Sequence, residues 1–212
     1  MKKFLSIILA LLMVLSLAAC SGDANKKSGK DSAAQDKQEE IKAAVEGVLT
    51  VGIANAAIEV NNTSVPMPYI LGDLESAGVP VDESVKEVEL ASGDFFSANL
   101  YLDEEEEYLI IPAYYNAGDD AINIADAQAE GITMTTYSDE PADQGVSIFG
   151  VTFGMAKSDI LTTFGEPMYD GGDYLEWEVA VSDSDYTGSF TVYFTGDEDS
   201  ALVSQVNLGL IK

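Results

Sequence analysis

The 212-residue chain contains no histidine, no arginine and a single cysteine, Cys20. Without histidine there is no Ser-His-Asp or Cys-His catalysis and no imidazole-ligated zinc. One cysteine permits no intrachain disulfide. Positive charge is also scarce: ten lysines face 37 Asp+Glu, for a net charge of −27. Nucleic acid is gripped by clustered cations on phosphate, so this balance excludes it as a partner. Phosphate loops are missing too. The run from Gly150 to Gly154 has neither the P-loop lysine nor the Rossmann spacing.

What is present begins with one long apolar run. Lys2 and Lys3 precede Phe4 to Leu17, which is interrupted only by Ser6 and Ser16. That stretch falls short of the roughly 20 residues a membrane-spanning helix needs. It leads into Leu17, Ala18, Ala19 and Cys20. The order of basic start, apolar stretch and Leu-Ala-Ala-Cys resembles the lipobox of bacterial lipoproteins. The resemblance implies cleavage before Cys20 and a diacylglyceryl group on its sulfur. Residues 1–19 are then a signal peptide, and Cys20 is the membrane attachment. Cleavage would leave 37 acids against 8 lysines, a net of −29. Two or more acyl chains suffice for stable anchoring on an extracytoplasmic membrane face.

Residues 20–46 read as the lipidated cysteine and a tether. Positions 21–35 are small and polar and cannot form a core. A Lys/Gly/Ser tether suits a protein reaching out from the single membrane of a Gram-positive cell. A short helix is expected over 36–46, with Asp36 as cap and Ile41, Ala44 and Val45 on one face.

Residues 47–212 hold 31 acids and three lysines, Lys86, Lys157 and Lys212. The acids are interspersed with apolar residues, which describes an acidic globular surface. The polar run 138–145 divides this region into halves at 47–140 and 141–212. In the first, Asn61 and Asn62 suit a hairpin turn between Ala57–Val60 and Thr63–Val65, and Ile70–Ala77 reads as a helix. Strand-like runs follow at Phe95–Leu102, Tyr108–Tyr115, Ala121–Ile124 and Gly131–Tyr137. The second half shows a strand at Val146–Phe149 and a helix at Lys157–Phe164. Strands at Tyr174–Val181, Ser189–Phe194 and Leu202–Ile211 complete it. Short turns between successive strands favour antiparallel meanders. The expected fold is therefore α+β: two helix-plus-antiparallel-meander halves, which are either a tandem repeat, Asp73 to Pro80 paralleling Asp159 to Pro167, or two uses of a common helix stop.

The run Gly154 to Pro167, with Phe164-Gly165 before the Glu-Pro pair, resembles the signature of SmpA/OmlA and β-lactamase-inhibitor-protein-like modules. In those, a glycine leads into a helix, which ends at Gly-x-Pro before a strand meander. Gly154, Phe164, Gly165 and Pro167 carry the likeness over residues 146–212. Ala156 departs from it, standing where Ser or Thr usually caps, so Ser158 would cap a shorter helix. The resemblance implies a non-catalytic module that binds a protein or envelope component.

Two further readings come from the carboxylates. Acidic turns at Asp183 and Asp185, and at Asp197 and Asp199, are candidates for a cationic ligand or Ca²⁺. None follows the EF-hand pattern. A carboxylate pair would serve a hydrolase if held at the right separation, but no pair stands out. No catalytic residue and no cofactor is assigned. The tyrosines on strands are packing residues or an exposed platform for a partner. Trp177, between Glu176 and Glu178, points opposite to them and into the core.

Overall fold

The computed structural model describes residues 47–52, 57–182, 184–197 and 200–211. All of them belong to the unit Ser32–Lys212. In chain order the elements are β1 (Val48–Gly52), β2 (Ala57–Val60), β3 (Thr63–Pro66), α1 (Leu71–Ser76) and α2 (Glu83–Lys86). Next come β4 (Glu89–Leu90), β5 (Phe95–Ser97), β6 (Leu100–Tyr101), β7 (Tyr108–Tyr115), β8 (Ile122–Asn123) and β9 (Ala129–Thr136). The chain ends with β10 (Val146–Ile148), α3 (Lys157–Phe164), β11 (Tyr169–Asp170), β12 (Tyr174–Ser182), β13 (Thr187–Thr195) and β14 (Leu202–Ile211).

The α+β expectation of two helix-plus-meander halves is overturned. The protein is mostly β, with three short helices among the described residues. One nine-stranded sheet runs in the order β1-β12-β13-β14-β9-β7-β5, with β11 pairing β12 and β6 pairing β7. It draws on residues from both sides of 138–145. The sheet is mixed, because β1 joins β12 in parallel, Val48 beside Glu178 through Gly52 beside Ser182. The remaining pairs are antiparallel. The first half is no copy of the second, because its strands spread over three sheets. A second sheet is β10-β2-β3 and a third is β4-β8.

Local chemistry explains the elements. Asn61 and Asn62 take positive φ, 49° and 65°, in the two-residue turn joining β2 to β3. The Ile70 N–H, at the start of α1, donates to Asp73 Oδ2 at 3.0 Å. At the start of α2 the Ser84 N–H donates to Asp82 Oδ1 at 2.7 Å, and hydrogen bonding from the Ser84 side chain and then its backbone lowers the Asp82 pKa. Pro112 sits inside β7, where a missing N–H would normally break a ladder. Its neighbour on that side is interrupted: β5 pairs at 113–115 and β6 at 109–110, leaving Pro112 opposite the gap.

Alternation along the strands sorts the sheet into two faces. Leu175, Trp177, Val179 and Val181 of β12 point inward, as do Phe190, Val192 and Phe194 of β13. Helix α3 covers this side. Phe164 lies 5.6 Å from the Trp177 ring and 5.4 Å from Phe190, centroid to centroid. The segment after β10 adds Phe149 at 5.1 Å from Phe190, and Phe153 at 5.2 Å from Tyr108. Leu71 and Leu74 of α1 join the same core.

The helix α3 occupies the residues that the sequence pattern assigns to it. Neither Ala156 nor Ser158 caps it with a side chain. The Lys157 N–H donates instead to Ala201 O at 3.1 Å, and Ala156 forms a β-bridge to Leu202. The start of β14 therefore satisfies one of the N–H groups that a helix leaves open.

Candidate functional site

The residues singled out by the sequence fall in three places. Cys20, Asp183 and Asp199 lie outside the described residues, as does the expected helix 36–46. Gly154, Phe164, Gly165 and Pro167 are structural. Gly154 has φ 77° and donates its N–H to Val203 O at 3.0 Å; a Cβ there would run into the Pro141 carbonyl. Gly165 ends α3 at φ 76°, ψ −162°. That conformation is not left-handed helical but lies in a region open essentially to glycine alone. Phe164 fills the core against Trp177, and Pro167 follows the helix into β11.

Asp185 and Asp197 are exposed in the turns at the two ends of β13. Eight rises of a strand separate those ends by about 27 Å, so the structure does not bring them together. Among the described residues no three carboxylates are grouped as a metal would require. None of the described carboxylates is buried either. Asp82 and Asp170, whose pKa values shift, are both pushed down rather than up. For Asp170 the cause is first the Gly172 N–H and then Lys157. A general acid needs the opposite shift.

The feature that remains is the sheet face turned away from the core. Three rows cross it in register from β7 through β9, β14 and β13 to β12. The first is Leu109, Thr135, Gln205, Tyr193 and Tyr174; the second is Ile111, Thr133, Asn207, Thr191 and Glu176. The third is Ala113, Gly131, Gly209, Ser189 and Glu178. Hydrogen bonds tie part of it together: Thr135 Oγ1 donates to Gln205 Oε1 at 3.3 Å, and Gln205 Nε2 to Asn207 Oδ1 at 3.0 Å. The face is thus apolar at β7, where Leu109 is buried, and polar from β9 to β12, with small residues along one row and aromatic rings at its ends.

At the β12 end, Tyr169, Tyr174 and Tyr193 stack. Successive centroids are 5.5 and 5.4 Å apart, with interplanar angles of 29° and 28°. Partial desolvation, then the neighbouring Tyr169, Glu176 and Tyr193, raise the Tyr174 pKa. At the opposite edge Phe95 and Tyr115 pair across β5 and β7 and are both exposed. Beside the tyrosine stack lies a groove of about 440 Å³ lined by Met168, Glu178, Thr187, Gly188, Ser189, Gly209 and Ile211. Met168 and Ile211 are 57% and 64% exposed, far more than apolar side chains in a core.

Sequence reasoning singled out the strand tyrosines as a group but could not assemble these three. Their stacking depends on the register of β11 and β13 against β12, which no local pattern encodes. The groove was missed entirely, because its floor is made of glycines and a serine from two strands.

The fold and this face define a mostly-β protein whose main sheet packs the core on one side and carries a partly exposed face on the other. No family model, curated protein or solved structure matches the chain.

Proposed function

We propose that the chain is a non-catalytic binding module, held on an extracytoplasmic membrane face through a lipidated Cys20, that recognises a protein or envelope component through the open face of its main sheet. The observation that carries this reading is the Tyr169–Tyr174–Tyr193 stack on the side opposite the core. Tyrosine supplies large contact area at low entropic cost and is enriched where binding energy concentrates. The anchoring part of the reading rests on Leu17 to Cys20 and the apolar run before them. Among the described residues no helix is long and apolar enough to cross a membrane.

The test uses the full chain. Cys20→Ser is expected to leave the membrane fraction or stay unprocessed, and a processed variant still tightly membrane-bound would refute lipidation. Envelope extracts from the native organism are then passed over wild type and the Tyr174→Ala/Tyr193→Ala double variant. The variant is expected to lose a partner that wild type retains. Equal capture by two equally folded proteins would remove the open face from the reading.

A further inference from the structure

We infer that the groove beside the tyrosine stack docks an extended, lysine- or arginine-bearing segment of a partner protein. This rests on the binding-module reading above and names the chemistry of its partner. Charge complementarity carries the argument. Glu176 and Glu178 stand two residues apart on β12, on the same side of the sheet. Among the described residues neither forms an ion pair. The two lysines among the described residues are engaged elsewhere. Lys86 pairs with Glu75 at 2.7 Å and Glu83 at 2.9 Å, and Lys157 with Asp170 at 3.2 Å.

The shape of the site selects the form of the partner. Side chains two apart on a strand are about 7 Å apart, so a peptide in extended conformation presents alternate side chains at the same repeat as the two glutamates. Gly209 leaves the groove floor without a side chain, and Met168 and Ile211 give its walls apolar surface. That combination accepts the methylene stem of a lysine or arginine while the carboxylates meet its head. The ring stack of Tyr169, Tyr174 and Tyr193 adds a surface that attracts cations. A second copy of this chain would bring the same net charge of −27 to the contact. A neutral glycan would gain nothing from the paired carboxylates. The overall field speeds the approach of a basic segment.

The experiment uses the full chain in detergent and a fluorescent ten-residue probe alternating lysine with serine, with a glutamate–serine peptide as control. The lysine probe is expected to bind saturably and the glutamate peptide not at all. Glu176→Gln/Glu178→Gln should weaken the lysine probe by about tenfold or more. Glu104→Gln/Glu105→Gln removes the same charge from the turn between β6 and β7, and should change affinity less than about twofold. Equal weakening by both pairs, or no binding by wild type, overturns the inference. The same variants applied to envelope capture separate the two claims. If the tyrosine variant loses the partner but Glu176→Gln/Glu178→Gln keeps it, the open face binds and the basic partner is wrong. If both keep it, both claims fall.

Discussion

Strands β12 and β13 carry two aromatic clusters back to back, and the clusters share almost nothing but their backbone. Inside, Trp177 and Phe190 lie 5.9 Å apart and tilted, with Phe164 of α3 wedged against both. Outside, Tyr174 and Tyr193 stack nearly parallel and continue to Tyr169. The inner rings are irregularly tilted because close packing demands interlocking shapes from several elements. The outer rings follow the ladder of the sheet, with centroid spacings of 5.5 and 5.4 Å. The same strand thus spends one face on stability and keeps the other for contact. The Trp177 indole even lies buried with no hydrogen-bond partner among the described residues, a cost the inner cluster must offset.

The comparison breaks most visibly at Trp177. Trp177→Ala should cost about 3–5 kcal/mol in denaturant unfolding, because it empties the centre of the core. A loss below about 1 kcal/mol would mean that α3 does not close the inner face. Next is Gly165. Its backbone lies where a Cβ is strained although no neighbour stands within 4 Å of it. Gly165→Val should therefore destabilise by about 1–3 kcal/mol, while the exposed Glu166→Ala should leave the thermal midpoint unchanged. Equal midpoints would show that the end of α3 does not depend on this glycine.

The smallest effect concerns pH and the strap between the two faces. Lys157 Nζ donates to Asp170 at 3.2 Å and to Gly172 O at 2.8 Å, and lies 5.7 Å from the Phe194 ring centroid. The folded pKa of Asp170 is depressed. Its stabilisation is therefore fully present above the ordinary aspartate value of 3.8, and is lost as pH falls through the lower folded value. Wild type should lose slightly more stability between pH 4 and pH 2 than Asp170→Asn, by thermal unfolding. Because Asp170 is largely exposed, the difference should be small. Parallel pH profiles would show that the strap contributes nothing.

Local features of the fold were legible in the sequence. β-rich runs placed β7 and β14 on their observed residues, the Asn61-Asn62 turn fixed the first hairpin, and Lys157 to Phe164 formed the expected helix. The flanking glutamates also revealed that Trp177 points inward, where it is fully buried. The architecture was not legible, for a physical reason. Pairing of β14 with β9 and of β1 with β12 joins segments tens to more than a hundred residues apart, and local turn signals say nothing about such pairs. Reading short turns alone produced two meanders where the chain builds one sheet. The face with its tyrosine stack was legible only as a set of aromatic residues, since a stack is a property of register.

The parallel attachment of β1 has a mechanical consequence. Gly47, the first described residue, is fastened by its N–H to Glu166 O at 3.0 Å and by its carbonyl to the Glu178 N–H at 2.9 Å, so a pull applied there loads these two bonds. Behind it, among the described residues, β1 is an edge strand bonded on one side only. Tension along the strand would shear the β1–β12 ladder as a unit, whereas tension across it would open the ladder one bond at a time. Either way Leu49 and Val51, both fully buried, would leave the core before any antiparallel pair is loaded. The first strand therefore acts as a fuse: it yields at the edge under load while the rest of the sheet, and the face it carries, stays assembled.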